Sequence, residues 1–193
     1  MHHLANLNVL VLGLGESGLA MARWCARFGA AVQVWDSREA PPQADALRAA
    51  VPPARLFSGV LTADQLAGVQ LVLKSPGLAP HDARIAPLLD AARATGIAVG
   101  TELDLFARAL ADLKVERGYA PRVLAITGTN GKTTTTALCA MLVARCGLRV
   151  AAAGNIGPTL LDTLAQALDD EPAPVQSDLA VPACEDLADV PPQ

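Results

Sequence analysis

The chain has 193 residues, 52% of them hydrophobic and only 3% aromatic, with a net charge of −4. That balance excludes a disordered chain and a basic nucleic-acid-binding face. It leaves room for one large or two smaller globular units whose cores are built from Ala, Leu and Val.

In chain order, Leu7–Leu12 is an apolar run ended by glycine and reads as a buried strand. Ser17–Phe28 carries apolar residues at helical spacing, with Gly29 as its stop. Between them, Gly13-Leu14-Gly15-Glu16-Ser17-Gly18 has the GxGxxG spacing, and Asp36 closes the next strand, Val32–Trp35. A glycine loop between strand and helix brings backbone N–H groups to a diphosphate, and the acid suits a ribose hydroxyl. A dinucleotide such as NAD is one ligand for such a loop. No hydride-transfer site follows it, and a nucleotide-diphosphate substrate would use the same backbone.

Gln43–Ala50 is a weak helix between two Pro-Pro pairs. Leu71–Leu73 is a strand running into Ser75-Pro76-Gly77, which in an open parallel sheet faces the same crevice as Gly15. Arg84–Ala94 is helical, Ile97–Val99 a strand and Glu102–Leu113 a helix. Residues 114–122 read as a linker, separating a first domain (1–113) from a second unit (123–168).

The second unit opens with an expected strand, Val123–Ile126, followed by Ile126-Thr127-Gly128-Thr129-Asn130-Gly131-Lys132-Thr133-Thr134 and a helix to Arg145. The two glycines permit a nest of inward N–H groups, Lys132 supplies a cation for β- and γ-phosphates, and the Thr133 hydroxyl suits Mg²⁺. A further strand is expected at Leu148–Ala152, then the loop Gly154-Asn155-Ile156-Gly157, with Pro158 at the first position of a helix to Leu168. Alternating strands and helices imply parallel sheets. Residues 169–193 are rich in proline and acids, lack periodicity and read as an aberrant or disordered tail.

Cys25, Cys139, Cys146 and Cys184 form no CxxC pair, and the first three fall in helical apolar patterns, as buried thiols in a reducing compartment would. His2, His3 and His81 form no ligand-spaced cluster. The first residues lack the basic and apolar regions of a leader, and no run approaches the ~20 apolar residues of a membrane span. A cytoplasmic protein with no membrane and no nucleic-acid partner is expected, and a monomer.

Taken in order, the Gly13–Gly18 loop, Asp36-Ser37-Arg38, Ser75-Pro76-Gly77-Leu78, Gly100–Phe106, Ile126–Thr134 and Gly154–Gly157 resemble the Mur ligases, the ATP-dependent amide-forming enzymes of peptidoglycan synthesis. The likeness covers about residues 7–168 and is strongest to the branch that adds D-glutamate to UDP-N-acetylmuramoyl-L-alanine through an acyl phosphate. It implies a Rossmann-like UDP-binding domain followed by an incomplete P-loop ATPase α/β domain. It also implies ATP and Mg²⁺ as cofactors, the latter bound through Thr133. By the same resemblance, Gly128, Thr129, Asn130, Gly131, Lys132, Thr133 and Thr134 hold ATP. Gly15, Glu16, Ser17, Asp36, Ser37, Arg38, Ser75, Pro76, Gly77 and Asn155 line the UDP-substrate pocket, with Lys132 and Asn155 catalytic. The family's later Glu-Leu-Ser-Ser-Phe-Gln segment, adenine pocket and D-glutamate domain have no counterpart here. The tail has the character that a frameshift or premature stop would leave, a genuine ending being the alternative, and the chain alone is expected to have little activity.

Overall fold

A computed structural model describes residues 2–155 and 157–171. Five parallel strands form one sheet in the order β3-β2-β1-β4-β5: β1 (Asn8–Leu12), β2 (Ala31–Trp35), β3 (Arg55–Phe57), β4 (Leu71–Lys74) and β5 (Ala98–Gly100). Six α-helices accompany it among the described residues: α1 (Glu16–Arg27), α2 (Ala44–Ala50), α3 (Ala86–Ala94), α4 (Glu102–Arg117), α5 (Lys132–Arg145) and α6 (Leu160–Asp169).

The two-residue period of a strand divides the core. Val9 and Val11 of β1 face a layer that includes Met21, Trp24 and Cys25 of α1, Leu47 of α2, Leu105 and Leu113 of α4, and Leu161 and Leu164 of α6. Leu10 and Leu12 face the opposite layer, with Ile85 and with Leu88 and Leu89 of α3. β1 and β4 lie inside the sheet and β3 and β5 at its edges, so the strand order reverses beside β1. In open parallel sheets such a reversal marks the ligand crevice, here at the carboxyl ends of β1, β2 and β4.

The structure corrects several expectations. Strand β3 has only three residues and too little periodicity to stand out, yet it pairs along β2 from Gln33 to Trp35. Helix α4 continues through four residues assigned to the linker and stops at Gly118, which is left-handed at φ 67°. Leu113, just before the extension, is fully buried, whereas residues 114–117 are exposed. Neither Val123–Ile126 nor Leu148–Ala152 forms a strand. Pro158 is not at the start of α6. Thr159 caps that helix, its hydroxyl accepting the Asp162 N–H at 3.2 Å. Asp169, assigned to the tail, ends α6 and pairs with Arg27 of α1. Residues 172–193 of the expected tail, Cys184 among them, lie outside the described residues. Cys146 is exposed, whereas Cys25 is buried and its thiol is pushed up to about 12 by desolvation. Near the amino terminus, His3 Nδ1 lies 2.6 Å from the Asp112 carboxylate.

Candidate functional site

The Gly13–Gly18 loop leaves β1 at a left-handed Gly13, φ 89°, whose N–H donates to the Trp35 carbonyl at 2.7 Å. Gly18 lies so close to this turn that a Cβ there would stand 1.9 Å from the Gly13 carbonyl oxygen. Helix and strand can approach this closely only without a side chain at Gly18. Gly15 is the opposite case. It precedes the first residue of α1, a Cβ there would meet nothing within 4 Å, and no side chain caps the helix. The first-turn N–H groups of α1 therefore open onto the crevice, the arrangement that binds anions.

Two polar side chains build this loop from beneath. The Ser75 hydroxyl, 8% exposed, donates to the Gly13 carbonyl at 2.8 Å. Asp36, 3% exposed, accepts the Leu14 N–H at 2.7 Å on one oxygen. Its carboxylate also takes three bonds from Arg38: the backbone N–H and Nε on Oδ1, at 2.9 and 2.8 Å, and Nη2 on Oδ2 at 2.9 Å. Burial alone would raise this carboxyl, but the Arg38 guanidinium and the Leu14 and Arg38 N–H groups outweigh it and hold the pKa down to about 2. Each Asp36 oxygen thus already has two donors. The acid that the spacing offered to a ribose hydroxyl instead ties the glycine loop to the β2 loop, which weakens the dinucleotide reading.

Ser37 and Arg38 are exposed at the rim, as are Pro76, Gly77 and Glu16, while Ser17 is half-buried. Two residues that sequence reasoning passed over complete the rim. Lys74 Nζ donates to the carbonyls of Ser75 (3.1 Å) and Leu78 (2.6 Å), bracing the Ser-Pro-Gly turn. Arg84, anchored on the Asp82 carboxylate by Nε (2.9 Å) and Nη2 (2.5 Å), extends Nη1 to the Ser37 hydroxyl at 3.0 Å and links the β4 and β2 sides of the crevice. The Asp82-to-Arg84 spacing was a local signal for the ion pair, but its reach to Ser37 across 47 positions was not.

The Gly154–Gly157 loop arrives from elsewhere in the chain. Its backbone closes on itself, Gly154 N–H to the Pro158 carbonyl at 2.9 Å and Gly157 N–H to that of Gly154 at 3.1 Å. The Cβ position of Gly157 lies 3.8 Å from Glu16 Oε2, so the loop stands beside the start of α1, with Asn155 exposed.

The phosphate-type loop is differently placed. Gly128 and Gly131 are left-handed, at φ 145° and 75°, and Gly131 precedes α5 without a side-chain cap. Lys132 Nζ folds back to donate to the carbonyls of Gly128 and of Thr129, the latter at 3.2 Å. Thr129, Asn130, Thr133 and Thr134 are exposed, and α5 buries none of its residues. The local geometry suits phosphate, but among the described residues no strand lies beside it. A groove of about 560 Å³ between α1 and α6 is a separate feature, and its arginines, Arg23 and Arg27, are paired with Asp162 and Asp169.

Comparison with known proteins places the chain in a family. Residues 7–100 match the family described as "Mur ligase MurD-like, N-terminal domain". The chain is 61% identical over 166 residues to the UDP-N-acetylmuramoylalanine–D-glutamate ligase of Ralstonia nicotianae, an alignment covering 86% of this chain and 33% of the relative. It is 57% identical over 170 residues to the ligase of the same name from Albidiferax ferrireducens, covering 87% and 33%. Among solved structures, a pseudomurein peptide ligase type C from Methanothermus fervidus aligns at 24% identity and a TM-score of 0.45, over 74% of this chain and 27% of that one. The chain spans about a third of the length of the curated relatives it matches. With the family model over its sheet unit and relatives of this identity over most of its length, the chain belongs to the Mur ligase family, to whose MurD-like N-terminal part it corresponds.

Proposed function

We propose that this chain is the UDP-sugar-binding portion of an ATP-dependent ligase that joins D-glutamate to UDP-N-acetylmuramoyl-L-alanine in peptidoglycan synthesis, in the cytoplasm and as a monomer. The observation that carries this reading is the uncapped start of α1 at an unobstructed Gly15, with the Gly154–Gly157 loop beside it. A diphosphate would lie on the first-turn N–H groups of α1. Glu16, Ser17, Ser37, Arg38, Pro76 and Gly77 would border it, with Arg38 held in place by Asp36. The muramoyl-alanine part would extend toward Asn155. Asp36 and Ser75 would act from below, by holding the loop in shape.

The second nucleotide belongs to Gly128–Thr134. The residues fit a triphosphate: a glycine turn and an uncapped helix start, with the Lys132 ammonium folded over the loop's own carbonyls. ATP, when bound, supplies the phosphoryl group that activates the muramoyl carboxylate. Lys132 would neutralise its β- and γ-oxygens, Thr133 would ligate Mg²⁺, and Asn155 would orient the carboxylate.

Calorimetry with UDP-N-acetylmuramoyl-L-alanine, ATP and NADH tests the proposal. The UDP sugar should bind most tightly. ATP should bind weakly, because α5 has no buried residue to hold its loop rigid. NADH should not bind, and tight NADH binding without UDP-sugar binding would overturn the reading. Amide formation with D-glutamate should be slow or absent, and turnover near that of a full-length relative would show that the loop needs no further support.

A further inference from the structure

Glu102 is a buried carboxylate for which the proposed chemistry has no use. It is 6% exposed and is the first residue of α4. Oε1 accepts the backbone N–H of Leu161, the second residue of α6, at 3.2 Å across 59 positions of sequence. The first turn of a helix leaves N–H groups without partners, and a carboxylate placed there is favoured both by the hydrogen bond and by the helix dipole. In α6 the Asp162 N–H is satisfied by Thr159, from within the segment, whereas the Leu161 N–H is satisfied from another helix. Leu161 and Leu164 are buried against α1 and α4, so the start of α6 is fixed from both sides. Only Thr159 separates this turn from the tight Gly154–Pro158 loop, which lies beside Glu16.

We propose that Glu102 is a positioning residue. Its carboxylate holds the first turn of α6 so that the Gly154–Pro158 loop, and Asn155 within it, stand at the mouth of the Gly13–Gly18 crevice. The inference rests on the reading of that crevice as a UDP-sugar site. Its consequence is a division of labour. The uridine diphosphate end of the ligand depends on the glycine loop, and the muramoyl end depends on Glu102 through the α6 start.

Three variants of the whole chain test this. Glu102→Gln keeps an oxygen within reach of Leu161, Glu102→Asp keeps the charge but draws it back by one methylene, and Glu102→Ala removes both. Affinity for UDP-N-acetylmuramoyl-L-alanine should fall about tenfold in the Asp and Ala variants, the scale of one lost hydrogen bond, and recover in the Gln variant, whose amide oxygen still accepts. Affinity for UDP itself should stay within about twofold, since the glycine loop is untouched. Amide exchange of Leu161 and Gly157 in the free chain should quicken in the Asp variant and remain as in the parent in the Gln variant. Equal losses for UDP and the UDP sugar, or unchanged Gly157 exchange in the Asp variant, would overturn the proposal. If the parent chain bound no UDP sugar, the function proposed above would fail, while the exchange data would still decide whether Glu102 holds the loop.

Discussion

The Gly13–Gly18 and Gly128–Thr133 loops start from the same kind of sequence: an apolar run, a glycine turn and a helix. The first becomes a packed site, with β1 hydrogen-bonded on both sides, seven residues of α1 buried and the loop carbonyl held by Ser75. The second keeps its turn and helix but gains no strand, and Val123, Leu124, Leu142 and Leu148 are each more than half exposed. A glycine turn and a helix are local structures. A strand needs a neighbour, and an apolar face needs another to cover it. The comparison shows which part of a nucleotide loop its own residues can build and which must come from the sheet behind it.

The sharpest way to break the comparison is at glycine. Gly18→Val should cost 3 kcal/mol or more, roughly the overpacking limit, because the obstruction is backbone; urea denaturation would measure it. Gly131→Val meets no neighbouring atom but sets a β-branched residue at φ 75°, so it should cost only the backbone strain of about 1–2 kcal/mol. Equal effects would mean that the two loops are equally integrated.

Next comes apolar truncation. Leu89→Ala removes a fully buried side chain and should cost about 2–5 kcal/mol. Leu142→Ala removes one that is 56% exposed and should change stability by about 0.5 kcal/mol or less.

Acid sharpens the account of the first loop. The Asp36 carboxyl is held below its unfolded value, so its stabilisation is complete above about pH 4 and is lost as the pH falls toward 2. By linkage this amounts to about 2 kcal/mol, and Asp36→Asn should flatten the stability profile in that window. The slope should not vanish, because Arg84 holds Asp82 at about 2 as well.

The smallest effect belongs to the ion pair joining α6 to α1. Arg27 reaches Asp169 through two bonds, 3.0 and 2.6 Å, but both side chains are substantially exposed. Arg27→Ala should therefore cost less than about 1 kcal/mol and lose even that in salt. A larger loss would mean that the pair, rather than Leu161 and Leu164, holds α6 in place.

Much of the first unit was legible because its signals are local. β1, α1 and the Gly13–Gly18 spacing could be read from a few consecutive residues, as could the stop at Gly29, whose φ is 83°. β3 was not legible, since three residues in register with β2 carry no pattern of their own. Of the expected site residues, Glu16, Ser37, Arg38 and Gly77 are exposed in or beside the loops that follow β1, β2 and β4, and Gly15 leads into α1. Asp36 and Ser75 were identified by position, but their duties differ from those the spacing suggested, since both carry hydrogen bonds within the loop framework. The contacts of Arg84 and Glu102 were not legible because their partners lie 47 and 59 positions away.

By itself, then, the sequence determined the glycine turns, the helix starts and the alternation of strands with helices that implies a parallel sheet, all of which follow from steric limits and periodicity within short segments. Tertiary structure decided what those pieces could do. It engaged both Asp36 oxygens, carried α6 onto α1 and α4, and left α5 with its apolar side chains exposed. Hydrogen bonds and burial between distant segments depend on distances that no local pattern encodes, so the packed site and the unpacked one became distinct only in three dimensions.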